Sequence, residues 1–148
     1  MIPLNFTHYQ NFNRQEFTCH CGCKLCNPAP QLLKLAQKAR NIIKLHCQLI
    51  HQTNKDYPTD IPIIVTRGSS CQEHNDSIKN SSPTSSHIAT ETIQSTAMDI
   101  KCHTSQHRFI IIEALLQAGF NRIGLYKKHN GIHVDCDTTK TPYVMWLK

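Results

Sequence analysis

Three short stretches of this chain carry residue types that bind metal ions: Ser85-Ser86-His87, Ala97-Met98-Asp99-Ile100 and Gly131-Ile132-His133-Val134-Asp135. Two imidazoles and one carboxylate, here His87, Asp99 and His133, are a usual protein complement for catalytic zinc, because three ligands leave a fourth position open for water. Zinc so held polarises a carbonyl and lowers the pKa of its water, which makes amide hydrolysis the natural reaction. That reaction also needs a group to take a proton from the water and return it to the leaving amine. His129, four residues before His133, is the leading candidate. Asp135 shares a side of its strand with His133 by the two-residue period, so it either orients a ligand imidazole or serves as the base. The chain has ten histidines, so grouping by residue type does not decide on its own. The others, His74 among them, read as satisfied or exposed side chains.

Ala97-Met98-Asp99-Ile100 and Gly131-Ile132-His133-Val134-Asp135 read as short strands, and a rigid sheet is what an open metal site needs. Other elements surround them. Leu32, Leu35, Ala36, Ala39, Ile42, Ile43, Cys47 and Ile50 recur at spacings of three and four, which predicts a helix from Gln31 to about His51. Ile63-Ile64-Val65 is a β-branched run that predicts a buried strand. Residues 106–118 form a second apolar helix with Gly119 as its stop. Arg122-Ile123-Gly124-Leu125-Tyr126 and Ile132-His133-Val134-Asp135 make a hairpin around Asn130-Gly131, a strong turn signal. Residues 142–147 supply a last short strand. The sum is an α+β domain: a small, mainly antiparallel sheet with flanking helices and the zinc site on the sheet. Its length of 148 residues suits a single domain, preceded by an extended arm over residues 1–29.

The order S-x-H, A-x-D-I, an I-G-x-Y strand and H-V-D resembles the zinc D-alanyl-D-alanine carboxypeptidase family, which cuts peptidoglycan stem peptides and includes many phage endolysins. The resemblance extends from Glu16-Phe17-Thr18-Cys19 through Ile61-Pro62-Ile63-Ile64-Val65-Thr66 and Cys71-Gln72-Glu73-His74-Asn75 to Gly119-Phe120-Asn121-Arg122-Ile123-Gly124-Leu125-Tyr126. It implies a peptidoglycan peptide as substrate, zinc as cofactor, and His87, Asp99 and His133 as ligands. Three departures stand out. Relatives place the first His seven residues before the Asp; here the gap is twelve, so residues 89–93 must bulge outward. Relatives carry an acid or a His ahead of the last ligand, where Asn130 stands three residues before His133. The family reads S-G-Y-R-C before H-N, with an Arg to pair with a peptide carboxylate. Ser70 stands at that position, and Arg67 either reaches the same space or lies on the surface.

Composition narrows the rest. The net charge of +6 favours polyanionic surroundings, yet Lys and Arg are scattered, without the basic arm of a nucleic-acid module. No run approaches the roughly 20 apolar residues of a membrane span, and the first ten residues lack the pattern of a secretory signal peptide. The expectation is a monomer without nucleic-acid or membrane partners that reaches the cell wall by lysis, a holin or a dedicated export system. The non-catalytic alternative is a zinc-stabilised cell-wall binding domain of the same fold. Of eight cysteines, four crowd into Cys19-His20-Cys21-Gly22-Cys23-Lys24-Leu25-Cys26, as a structural zinc site or as disulfides. Cys47, Cys71, Cys102 and Cys136 read as small buried hydrophobes.

Overall fold

Apolar residues at helical spacing wind the first long segment into a helix whose Leu32, Leu33, Ala36, Ala39, Ile43 and Cys47 are all buried. Pro30 opens it, at a position where a missing N–H costs no intrahelical bond. The computed structural model describes residues 4–148. Its elements run α1 (Pro30–Thr53), β1 (Ile64–Arg67), α2 (Gln72–Ser77), β2 (Ala97–Lys101), α3 (Ser105–Ala118), β3 (Arg122–Leu125), β4 (Ile132–Asp135) and β5 (Val144–Leu147). Thr104 caps α3 by accepting from His107 N–H, and Gly119 ends it in the left-handed region at φ 115°, as a side chain at that position would resist.

The five strands lie in the order β1-β2-β4-β3-β5. All pairs are antiparallel except β3 with β5. The two-residue period divides the sheet into two faces. Met98, Ile100, Ile123, Ile132 and Val134 join the core with Leu32, Ile43, Ile111 and Leu115 of α1 and α3. The opposite face receives the polar residues. Asp99 pairs in register with Arg67 and with His133, His133 pairs with Gly124, and Gly124 with Trp146. A single row across the sheet thus holds a guanidinium, a carboxylate, an imidazole, a glycine and an indole. Gly124 is needed there because a Cβ would lie 2.9 Å from the Trp146 ring.

Two expectations need correction, and one element, α2, is new. Residues 4–29 are not extended: they fold through 3-10 turns at Phe6–His8 and Arg14–Phe17, the second closed by a reciprocal Asn13–Glu16 capping box. Phe17 follows it into the core, fully buried against Phe6 and Phe12. The sequence did not announce α2, and residues 75–96, which contain its end, are tied down by buried Asn75 and Ser95. Gly131 does not take a left-handed turn; it is small because a Cβ would lie 2.4 Å from the His129 ring folded over it. Among the described residues, no helix is long and apolar enough to cross a membrane.

Candidate metal centre

His87, Asp99 and His133 meet on the polar face of the sheet. Strand pairing puts Asp99 directly beside His133. His87 comes from a loop, and its route is set by backbone bonds: Ser70 N–H donates to His87 O (2.8 Å) and Ala89 N–H to Ser70 O (2.9 Å). The long gap to Asp99 is absorbed by an outward loop that starts one residue later than expected, since Ala89 is buried. Residues 90–94 are exposed, and the Asn27 amide donates to the carbonyls of Thr90 (2.9 Å) and Ile93 (3.2 Å). Lys140 Nζ donates to Thr84 O and to Ser86 Oγ, both at 2.8 Å, holding the other side of the loop.

The outer nitrogens of both rings have partners that can only accept. His87 Nδ1 donates to Gly68 O at 2.8 Å, and His133 Nε2 donates to the Asp135 carboxylate at 3.1 Å. In the neutral rings the inner nitrogens are therefore bare lone pairs. His87 Nε2 lies 3.2 Å from His133 Nδ1 and 3.3 Å from Asp99 Oδ1, and His133 Nδ1 lies 2.9 Å from the same oxygen. A tetrahedral zinc with bonds of about 2.0–2.1 Å spaces its N and O ligands by about 3.3 Å. Three lone-pair atoms crowded at that spacing fit a cation among them. Burial drives His87 toward its neutral form against the opposing pull of Asp99. Burial alone would raise the Asp99 carboxyl, but the His133 and His87 rings beside it outweigh this and hold it far below the usual carboxylate range.

Asp135 is also held ionised: burial opposes this, while the bonds from His133, Asp137 N–H and Arg122 outweigh it. Arg122 Nε reaches Asp135 Oδ1 at 2.7 Å, and the same guanidinium lies 5.3 Å from the Trp146 ring centre.

A cleft of about 480 Å³ opens beside Asp99, lined by Thr66, Arg67, Lys101, Tyr126, His129 and Asn130 among others. Arg67 is thus directed into the cleft and is held by Ser70 Oγ and Asn75 Oδ1, each at 3.0 Å. Ser70 holds the guanidinium in place of presenting its own cation. His129 stacks on Tyr126 with ring centres 4.6 Å apart, and its Nδ1 accepts from Gly131 N–H at 2.9 Å. Tyr126 is kept protonated well above its ordinary range by burial and by the neighbouring Asp99 charge.

A family model described as peptidase M15 matches residues 10–135. The chain belongs to the peptidase M15 family. M15 peptidases are zinc-dependent, and the His-Asp-His group expected of them is present here. No curated protein and no solved structure gives a match. The match to the M15 model ends at Asp135, so Trp146 of β5 lies beyond it.

Sequence reasoning missed two supports of the M15 site. One is Arg122, whose distance in sequence from Asp135 hides their pairing in register. The other is Gly68, which sits under Phe17: a Cβ there would lie 2.5 Å from Phe17 Cα. Gly68→Ala is expected to destabilise the fold by about 1–3 kcal/mol through overpacking. It should also loosen zinc, since the displaced carbonyl is the acceptor for His87 Nδ1. Urea unfolding followed alongside zinc content checks both effects.

Proposed function

We propose that the chain is a zinc metallopeptidase that hydrolyses an amide bond in the peptide stems of peptidoglycan, acting at the cell wall. The observation that carries this reading is the convergence of two bare ring nitrogens and one carboxylate oxygen beside an open cleft. Zinc held by His87, Asp99 and His133 would polarise a substrate carbonyl and bring a water toward ionisation near neutral pH.

The rest falls to the chain's own groups. Asp135 is a positioning residue: with its oxygens engaged by Arg122, Asp137 N–H and His133, it fixes which nitrogen His133 offers and is not available as a base. Arg67 is already anchored through Nε and one terminal nitrogen, and its charge in the cleft suits a substrate carboxylate. Ser70 supports that guanidinium. Tyr126, kept protonated, is a hydrogen-bond donor at the cleft wall.

His129 is the proton-transfer candidate, with a constraint the sequence did not carry. The Gly131 amide occupies Nδ1, so the neutral ring bears its proton on Nε2 and enters as a hydrogen-bond donor to the oxygen that gains charge. Acting as base would require giving up the Gly131 bond. His129→Ala is expected to lower turnover by a factor of about 10² to 10⁴ with zinc retained, and His129→Gln, which keeps a donor, to lose less. The release of new amino termini from purified peptidoglycan, measured with zinc content, checks this. Unchanged turnover in the Ala variant removes His129 from the mechanism.

A further inference from the structure

A second group of metal-binding side chains lies away from the cleft. Cys19 Sγ is 3.5 Å from Cys21 Sγ and 3.9 Å from Cys71 Sγ, and Cys21 Sγ is 3.6 Å from Cys71 Sγ. Cys23 completes the set, with all four sulfurs within 4.8 Å of one another. A tetrahedral zinc with Zn–S bonds of about 2.3 Å separates its sulfurs by about 3.8 Å. All four are free thiols.

The backbone is shaped to bring them together. Gly22 sits at φ 88° with nothing within 4 Å of where a Cβ would be, and Lys24 at φ 61°. These two left-handed residues fold Cys-x-Cys-x-Cys back on itself, and Cys19 N–H closes the loop on Leu25 O at 2.7 Å. Cys71 arrives from the other side as the residue that caps α2. Backbone amides point at the sulfurs: Cys71 N–H at Cys19 Sγ (3.4 Å) and His74 N–H at Cys71 Sγ (3.3 Å). His74 Nδ1 lies 3.2 Å from Cys19 Sγ. Donors so arranged support thiolate ligands. Cys26, by contrast, turns away to Arg14 O at 3.5 Å. The cluster that the sequence places within Cys19 to Cys26 takes its fourth sulfur from Cys71 instead of Cys26, and the half-buried Cys71 is not the buried hydrophobe expected. His74, given no role from sequence, borders the site.

We propose that Cys19, Cys21, Cys23 and Cys71 form a closed structural site for one zinc ion, each thiol releasing its proton to solvent as the metal binds. The site clamps the segment that ends in Phe17 to the loop between β1 and α2. Ser69 N–H already donates to Phe17 O at 3.1 Å in that contact, next to the Gly68 carbonyl that orients His87.

The test uses the full chain, purified under reducing conditions with zinc present. Two zinc ions per chain are expected, and one in the His87→Ala/His133→Ala variant. A thiol-blocking mercurial should release the remaining ion. Cobalt in its place should give an intense thiolate-to-metal charge-transfer band with tetrahedral visible bands. Cys71→Ser should abolish this binding and Cys26→Ser should leave it intact. The cobalt and mercurial measurements require no cysteine change, so they decide even if Cys71→Ser does not fold. A double-His variant free of metal with all eight thiols reacting freely, or with mass lowered by disulfide formation, would overturn the proposal, as would loss of the ion in Cys26→Ser.

Discussion

Replacing His133 by Ala is expected to strip zinc from the cleft site and bring hydrolysis of peptidoglycan peptides down to the level of a buffer control. His133 Nδ1 approaches both other ligand atoms, at 2.9 and 3.2 Å, so its removal leaves two donors, too few to hold zinc tightly. The ring is also what Asp135 and Trp146 pack around, with His133 and Trp146 ring centres 5.6 Å apart. The variant therefore needs a control for folding: circular dichroism separates lost metal from lost structure. Retained zinc at the cleft and full turnover in a folded variant would show that His133 is not a ligand.

Asp135→Asn is expected to act on metal and fold together. The carboxylate serves His133 through one oxygen and Arg122 through the other, both partners being buried. An amide has one acceptor oxygen, so one partner goes unserved. If His133 loses its acceptor, zinc affinity falls by about 10–100-fold. In either case the buried Arg122 guanidinium loses its counter-charge, and the fold loses about 3–5 kcal/mol. The pH dependence gives a sign. The folded Asp135 carboxyl titrates below its ordinary value, so its contribution is complete above the ordinary carboxylate range and is lost as pH falls through that range toward the depressed value. Wild type should therefore lose stability over that acid interval more steeply than the Asn variant. Parallel acid-unfolding curves would contradict the assignment.

Much of this arrangement is legible in sequence because it follows from local rules. The two-residue period of Ala97-Met98-Asp99-Ile100 and Ile132-His133-Val134-Asp135 is enough to put Asp99 and His133 on the face opposite Met98 and Val134. The helical spacing through Leu32, Ala36 and Ile43 gives α1, and Gly119 marks the end of α3. The excess residues before Asp99 could be read as an outward loop, and residues 90–94 form one. What escaped is what depends on tertiary meeting. Cys71 joins Cys19 across 52 residues, Arg122 meets Asp135 only through strand register, and Gly68 is fixed by the backbone of Phe17. The role of His129 turned on one amide bond from Gly131, which spacing does not encode. Ser70 likewise gained its meaning from Arg67, whose guanidinium it holds.

The reading as a peptidase rests most directly on what happens to its substrate. Mass spectrometry of muropeptides after incubation with the zinc-loaded wild type, and in parallel with folded His87→Ala, is the measurement. New peptide products are expected with wild type, absent with His87→Ala and abolished by a strong chelator; loss of a terminal D-Ala or an internal cut then names the bond. Identical profiles from wild type and variant, neither above the buffer control, with wild type still sedimenting with cell walls, would contradict it and leave a wall-binding domain.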